Sequence, residues 1–181
     1  METQRGIRLV SAADTWCDLA AASWDLDDLV VVGDALVNWR HGIRPDVLDA
    51  AIAKRSAARG VEVMRAARAL LRRRSESPME TRARLLFARA GLPEPELNEE
   101  IHHSADSQWL ATGDFVWREQ RVVGEYAGDQ HRTDPRQWRG DVKRREDLED
   151  DGWRMVVFTS EDIFARPSVL LSRLDRQLRR H

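Results

Sequence analysis

Two carboxylates stand where apolar strands would be expected to exclude them. In the stretch Thr112-Gly-Asp-Phe-Val-Trp-Arg-Glu-Gln-Arg-Val-Val-Gly-Glu-Tyr126, two apolar runs flank a polar break at Arg118 to Arg121, the pattern of a β-hairpin. A turn centred between Glu119 and Gln120 pairs Phe115 with Gly124 and Val116 with Val123, and it sets Asp114 against Glu125. Directly opposed side chains have Cβ atoms roughly 4.5–5.5 Å apart, and like charges so placed repel. A divalent cation held between them is the simplest compensation, because hard cations such as Mg²⁺ take carboxylate oxygens. A turn displaced by one residue would instead put the two on opposite faces, and Glu-Gln is not a preferred two-residue turn. The register therefore decides whether these residues form a site.

The hairpin needs a frame. Ser77-Pro78-Met79-Glu80 combines an N-cap, proline at the first helical position and a Glu three residues after the cap. This predicts a helix to Ala90, ended by Gly91-Leu-Pro93-Glu-Pro95. Leu97 to Ile101 is a short strand and His102 to Ser107 a polar loop, and the hairpin strands are Trp109 to Trp117 and Arg121 to Tyr126. After a loop at Gly128 to Asp134, Thr133 and Pro135 open a helix that runs to about Asp151 and stops at Gly152. Trp153 to Thr159 is strongly apolar and is expected to be a central strand. Ser160 caps a short turn, and Pro167 opens a last helix. From Ser77 the order is helix, three strands, helix, strand, helix. A right-handed crossover is expected to return the last strand to the sheet, giving an α/β sandwich with a mixed sheet.

Ahead of this lies a helical stretch. Ser11-Ala-Ala-Asp14 has the form of a capping box opening a helix through about Ala22, and Leu26 to Val37, Pro45 to Arg59 and Val61 to Arg74 read as three more. Trp16, Trp24 and Trp39 are expected to be its core. The polar break Ser75-Glu-Ser77 is the expected boundary between a helical N-terminal segment, 1–74, and an α/β domain, 75–181.

Of 181 residues, 42% are hydrophobic, enough for a core, and no apolar run approaches the ~18–20 needed to span a membrane. Met1 to Val10 has no apolar core, so no secretory leader is expected and a cytoplasmic location is the default. Cys17 is the single cysteine, which excludes a disulfide framework and a cysteine-based zinc site. The formal net charge of −2 argues neither for nor against nucleic acid. Positive charge is almost all arginine, clustered at Arg65, Arg68, Arg72, Arg73 and Arg74, at Arg82, Arg84 and Arg89, and near the end of the chain. Arginine binds phosphate bidentately, so such clusters can be a phosphate footprint. A solvated helix face explains any single cluster equally well.

Taken together, Ser77-Pro-Met-Glu80, Gly113-Asp114-Phe-Val, Gly124-Glu125-Tyr126-Ala-Gly128-Asp129-Gln-His131-Arg132, Gln137-Trp138-Arg139-Gly-Asp141, and Leu148 with Gly152-Trp153-Arg154 resemble the PD-(D/E)XK nuclease superfamily. The details are most similar to the very short patch repair endonucleases and the related domain found in abortive-infection antitoxin-like proteins. The resemblance covers Ser77 onward. It implies a restriction-endonuclease-like αβββαβ core and a Mg²⁺ site built from Glu80, Asp114 and Glu125, with the carbonyl of Tyr126 as a further ligand. Mn²⁺ is expected to substitute. It matches His131 to a proton-handling histidine, whose unperturbed pKa near ~6.5 suits acid–base work, and Asp141 to an Asp of structural or phosphate-adjacent role. Arg132, Arg139 and Arg144 are the implied DNA contacts. Duller readings stand beside these: Glu80 as a capping residue, His131 as a turn residue, Asp129 as an Asx turn.

The full motif carries Lys two residues after the second carboxylate, where this chain has Ala127. That removes a charge which would orient water and steady the transition state, and Lys143 on the following helix is a candidate substitute. The expected function is a Mg²⁺-dependent DNA endonuclease or nickase. The alternative is a catalytically lapsed nucleic-acid-binding or antitoxin-like protein that keeps the fold. A third reading is a helical interaction module fused to a structural α/β domain. The expected partner is DNA, with no membrane, and the helical segment is expected to pack against the core or to pair two chains as a homodimer.

Overall fold

The computed structural model describes residues 2–4, 7–128 and 135–179, with side chains at all of these except 2–4, 7, 8, 135–139 and 141. The chain divides into two compact units, Met1–Thr81 and Arg82–His181.

In the first unit a short antiparallel pair, β1 (Glu2–Gln4) and β2 (Ile7–Leu9), precedes four helices: α1 (Ala12–Ala21), α2 (Leu26–Val37), α3 (Pro45–Ala53) and α4 (Val61–Leu70). Ser11 caps α1 as its sequence promised, accepting the Asp14 N–H at 3.1 Å. Buried Trp16 donates its indole N–H to the Leu29 carbonyl at 2.9 Å, tying α1 to α2. Two helices end earlier than their apolar pattern suggests. Beyond α3, Arg55 folds back onto Asp14 (2.7 Å) and the Ala51 carbonyl, and its own carbonyl closes a turn with Ala58. Beyond α4, the carboxylate of Asp34, 1% exposed, draws the chain out of the helix by accepting the Arg72 N–H at 2.7 Å. Trp24 and Trp39, expected in the core, are each 43% exposed. Arg40 and Arg74 stack on the Trp39 ring, at 4.9 and 5.1 Å from its centroid.

Helix α5 (Pro78–Arg89) contains the division between the units. The second unit carries β3 (Glu96–His102), β4 (Trp109–Trp117), β5 (Val122–Tyr126), α6 (Pro135–Asp150), β6 (Arg154–Phe158), α7 (Ser160–Phe164) and α8 (Pro167–Leu178). Its sheet has the order β3-β4-β5-β6, antiparallel except for the parallel β5–β6 pair that α6 connects. Strand β6 is thus at the edge and not central. Its apolar run buries Val156 and Phe158 on one face, while on the other Met155 is half-buried and Val157 is exposed, and an apolar run alone does not tell an edge strand from a central one.

One face of the sheet buries Ile101, Ala111, Val116 and Val123 under Leu148 of α6 and Trp153. On the other, Phe87 of α5 meets Phe115 (5.4 Å), Trp117 (5.9 Å) and Phe158 (5.7 Å) as a cluster of rings. Gly152, at φ 83°, supplies the left-handed turn that stops α6. The result is an α/β unit with a four-stranded mixed sheet. Among the described residues no helix is long and apolar enough to cross a membrane.

Candidate functional site

The hairpin has the register its polar break implies: Phe115 pairs with Gly124, Val116 with Val123 and Trp117 with Val122. Continued by one residue, that register sets Asp114 against Glu125, and there the β4–β5 ladder stops. The pairing on the other side of β4 is interrupted at the same residue. Pairing with β3 runs Leu97–Phe115, skips Asn98–Asp114, and resumes at Glu99–Gly113. Asn98 has φ 49°, a left-handed conformation that Asn tolerates better than most residues.

Strand β4 also changes face at this point. Ala111 and Val116 share one apolar cluster, although an odd spacing in a regular strand puts residues on opposite faces. A Cβ on Gly113 would lie 2.8 Å from a methyl of Val116 and 2.9 Å from one of Val123, so only glycine fits beside the switch. Asp114 is the residue at which the alternation breaks. Its half-buried carboxylate leaves the ladder and accepts the backbone N–H of Tyr126 at 2.8 Å.

Glu125, on β5 opposite Val157 of β6, has a side chain only 13% exposed. Arg144 of α6 reaches it, Nη2 to Oε2 at 3.4 Å. Four residues along α6 from Arg144, and so on the same helix face, Leu148 is fully buried and fixes that face to the sheet. Lys143, the candidate substitute for the missing lysine, instead turns to both oxygens of Asp147 at 2.9 Å and is 74% exposed. That contact holds its ammonium pKa above the ordinary value. Ala127 donates its N–H to the Phe158 carbonyl at 2.8 Å, fastening the end of β5 to β6.

Glu80 lies in the first turn of α5, 7% exposed, and its carboxylate accepts the Glu76 N–H at 2.8 Å. Ser77 in turn accepts the Glu80 N–H at 3.2 Å, so the capping role is realised. His131, Arg132 and Asp129 lie outside the described residues, as do the side chains of Arg139 and Asp141. Several arginines of the clusters are engaged locally: Arg65 with Glu62, Arg68 with Asp49, Arg179 with Asp175. Among the described residues no group of three or more His, Cys, Asp or Glu side chains gathers as a metal cluster. The hairpin offers two carboxylates and a carbonyl.

A feature that the sequence did not announce lies in the first unit. A cavity of about 340 Å³ is lined by residues that include Asp34, Asn38, Arg40, His41, Ser75 and Thr81. At its floor the Thr81 hydroxyl donates to Asp34 at 2.8 Å, so the Ser75 hydroxyl, 2.8 Å from Thr81, donates in turn. The signal available was Asp34 itself, a charge on the apolar face of α2.

The fold defines an α/β protein with a four-stranded mixed sheet. Two uncharacterized proteins of Mycobacterium tuberculosis, from strains CDC 1551 / Oshkosh and H37Rv, are each 32% identical to it over 133 residues, 74% of this chain and 48% of theirs. The chain spans about half the length of these curated relatives. No family model matches it, and no solved structure does.

Proposed function

We propose that the second unit is a divalent-metal-dependent DNA endonuclease or nickase of the PD-(D/E)XK type, working at the end of the β4–β5 hairpin. The observation that supports this is the hairpin register, Phe115 with Gly124 and Val116 with Val123: continued by one residue it would bring Asp114 opposite Glu125, and a cationic side chain, Arg144, contacts Glu125. The donors suit a hard cation. Each carboxylate has about four lone-pair sites, of which the bond from the Tyr126 N–H occupies one on Asp114. Mg²⁺ commonly binds one or two carboxylates and keeps several waters, so Asp114, Glu125 and the Tyr126 carbonyl are an adequate set, with Mn²⁺ as substitute. Such an ion would supply Lewis-acid charge at a phosphate and lower the pKa of a water.

The chain's own residues do the rest. Asp114, held by the Tyr126 N–H, keeps one carboxylate fixed relative to β5. Arg144 rests against Glu125 at 3.4 Å. In the hydrolysis the water oxygen joins phosphorus as the bond to one sugar oxygen breaks. One water proton ends on that leaving oxygen and the other goes to the phosphate product or solvent. His131 is the expected proton-handling group. Glu80, whose carboxylate accepts the Glu76 N–H, has no step assigned to it.

The test is incubation with supercoiled plasmid in Mg²⁺ or Mn²⁺. Relaxed or linear product is expected, steeply suppressed by salt because phosphate contacts dominate DNA binding. Equal activity in EDTA, or in the Asp114→Ala protein, removes the proposal. A second reading, a DNA-binding protein that no longer cleaves, is favoured by Ala127, which leaves the strand without the motif's charge. It predicts salt-sensitive DNA binding with no cleavage in any metal.

A further inference from the structure

We propose that Arg144 is the phosphate-facing cation of this site, delivered from α6 in place of a charge on β5, and that its ion pair with Glu125 is the arrangement it holds before substrate arrives. The inference rests on the reading above. Attack on a phosphodiester builds negative charge on the phosphoryl oxygens, and preorganised positive groups aimed at that charge stabilise the transition state. The strand cannot supply one: Ala127 has no charge, and its backbone closes β5 onto β6. Lys143 is directed to Asp147. Arg144 is the basic side chain seen on Glu125 among the described residues.

Its state suits that task. A guanidinium has five N–H donors in a rigid fork matched to phosphate. Arg144 touches Glu125 through one nitrogen at the long distance of 3.4 Å. Its Nε is buried and makes no hydrogen bond, which is an expensive way to leave a donor. The side chain is about one-third exposed, so the fork can turn toward a bound phosphate. Leu148 holds the helix face beneath it. Arginine keeps its proton throughout, so the role is charge and orientation, not proton transfer.

The experiment uses the full chain and the variants Arg144→Ala, Arg144→Gln and Arg144→Lys, with Lys143→Ala as control. Three quantities are read: single-turnover cleavage of a labelled duplex in Mg²⁺, equilibrium binding of that duplex in Ca²⁺, and the Mn²⁺-induced shift in Tm without DNA. Arg144→Ala and Arg144→Gln are expected to slow cleavage at least 100-fold, to bind DNA within threefold of the parent, and to keep the Mn²⁺ shift. Arg144→Lys should recover at least tenfold of the loss, and Lys143→Ala should match the parent. If the alanine variant fails to fold, the Gln and Lys variants carry the comparison. Cleavage by Arg144→Gln within threefold of the parent overturns the inference alone. So does a loss of DNA affinity as large as the loss of cleavage, which would make Arg144 a backbone anchor, or a lost Mn²⁺ shift. A parent that neither cleaves nor responds to Mn²⁺ overturns the functional reading, and this inference with it.

Discussion

Replacing Asp114 separates the two forces acting on it. A like-charge pair across a hairpin costs about 0.2–1 kcal/mol, so removing one charge should stabilise the metal-free protein. Against that stands the bond from the Tyr126 N–H to Asp114, 2.8 Å long. Hydrogen bonds to charged groups contribute about 1.5–3 kcal/mol and neutral ones about 0.5–1.5 kcal/mol. Asp114 is half-buried, so the lower parts of both ranges apply. Asp114→Asn keeps an acceptor but turns a charge-assisted bond into a neutral one, a loss of about 1 kcal/mol. Relief of repulsion returns only part of it, because Arg144 already screens Glu125. Asp114→Ala removes the acceptor altogether. The expected order of metal-free stability is parent, then Asn lower by about 0–1 kcal/mol, then Ala lower by a further 1 kcal/mol or so. Urea unfolding in EDTA at constant ionic strength measures this. Mn²⁺ at a hundredfold excess over Kd should then add about 2.7 kcal/mol to the parent and much less to either variant. An Asn variant more stable than the parent by a full kcal/mol would show that repulsion dominates. An Ala variant as stable as Asn would show that the Tyr126 bond contributes nothing.

Gly113→Ala should cost about 1–3 kcal/mol, the usual result of overpacking, because its Cβ would press on methyls of both Val116 and Val123; denaturant midpoints read it, and a neutral result would contradict the face switch in β4. Asp151 accepts from the Ser104 N–H and hydroxyl at 3.0 and 2.6 Å, and these bonds hold its pKa below the usual carboxylate value. A depressed folded pKa means a contribution that is present above the unfolded value and lost as pH falls through the folded one. Asp151→Asn should therefore be less stable than the parent at pH 7, with the gap closing below about pH 4; a gap independent of pH would rule out the charge as its source.

The hairpin was legible because two apolar runs flank a short polar break, and a turn centred on that break gives the register observed. What Asp114 does there was not, since its carboxylate accepts a backbone N–H, that of Tyr126, and a bond to the backbone leaves no mark in the side-chain pattern. The Arg144–Glu125 pair spans 19 residues and exists only once α6 has docked through Leu148. Helix starts at Ala12, Pro45 and Pro78 were legible from caps and prolines, and the start at Leu26 from its apolar run. Helix ends at Ala53 and Leu70 were not, because partners distant in sequence, Asp14 and Asp34, pull the chain away. Trp39 read as core on composition alone, yet two arginines cover its ring and leave it partly exposed.

Partners already present on both carboxylates do not weigh against a cation site there, and magnitudes show why. Without a cation, two carboxylates brought together in a half-buried hairpin would need compensation, to which a backbone N–H on one and a guanidinium on the other contribute. Neither is hard to share or displace. The Tyr126 bond occupies one of about four acceptor positions on Asp114. Exposed or partly exposed ion pairs contribute only about 0–1 kcal/mol, and the 3.4 Å Arg144 contact belongs at the weak end. A cation at a hundredfold excess over its Kd exceeds that by roughly 2 kcal/mol. A guanidinium so displaced remains tethered one helical turn from Leu148, within reach of whatever anion the cation brings with it. The same carboxylates can therefore be satisfied in the resting protein and still be available to a metal, with the basic side chain that quiets them moving onto the phosphate.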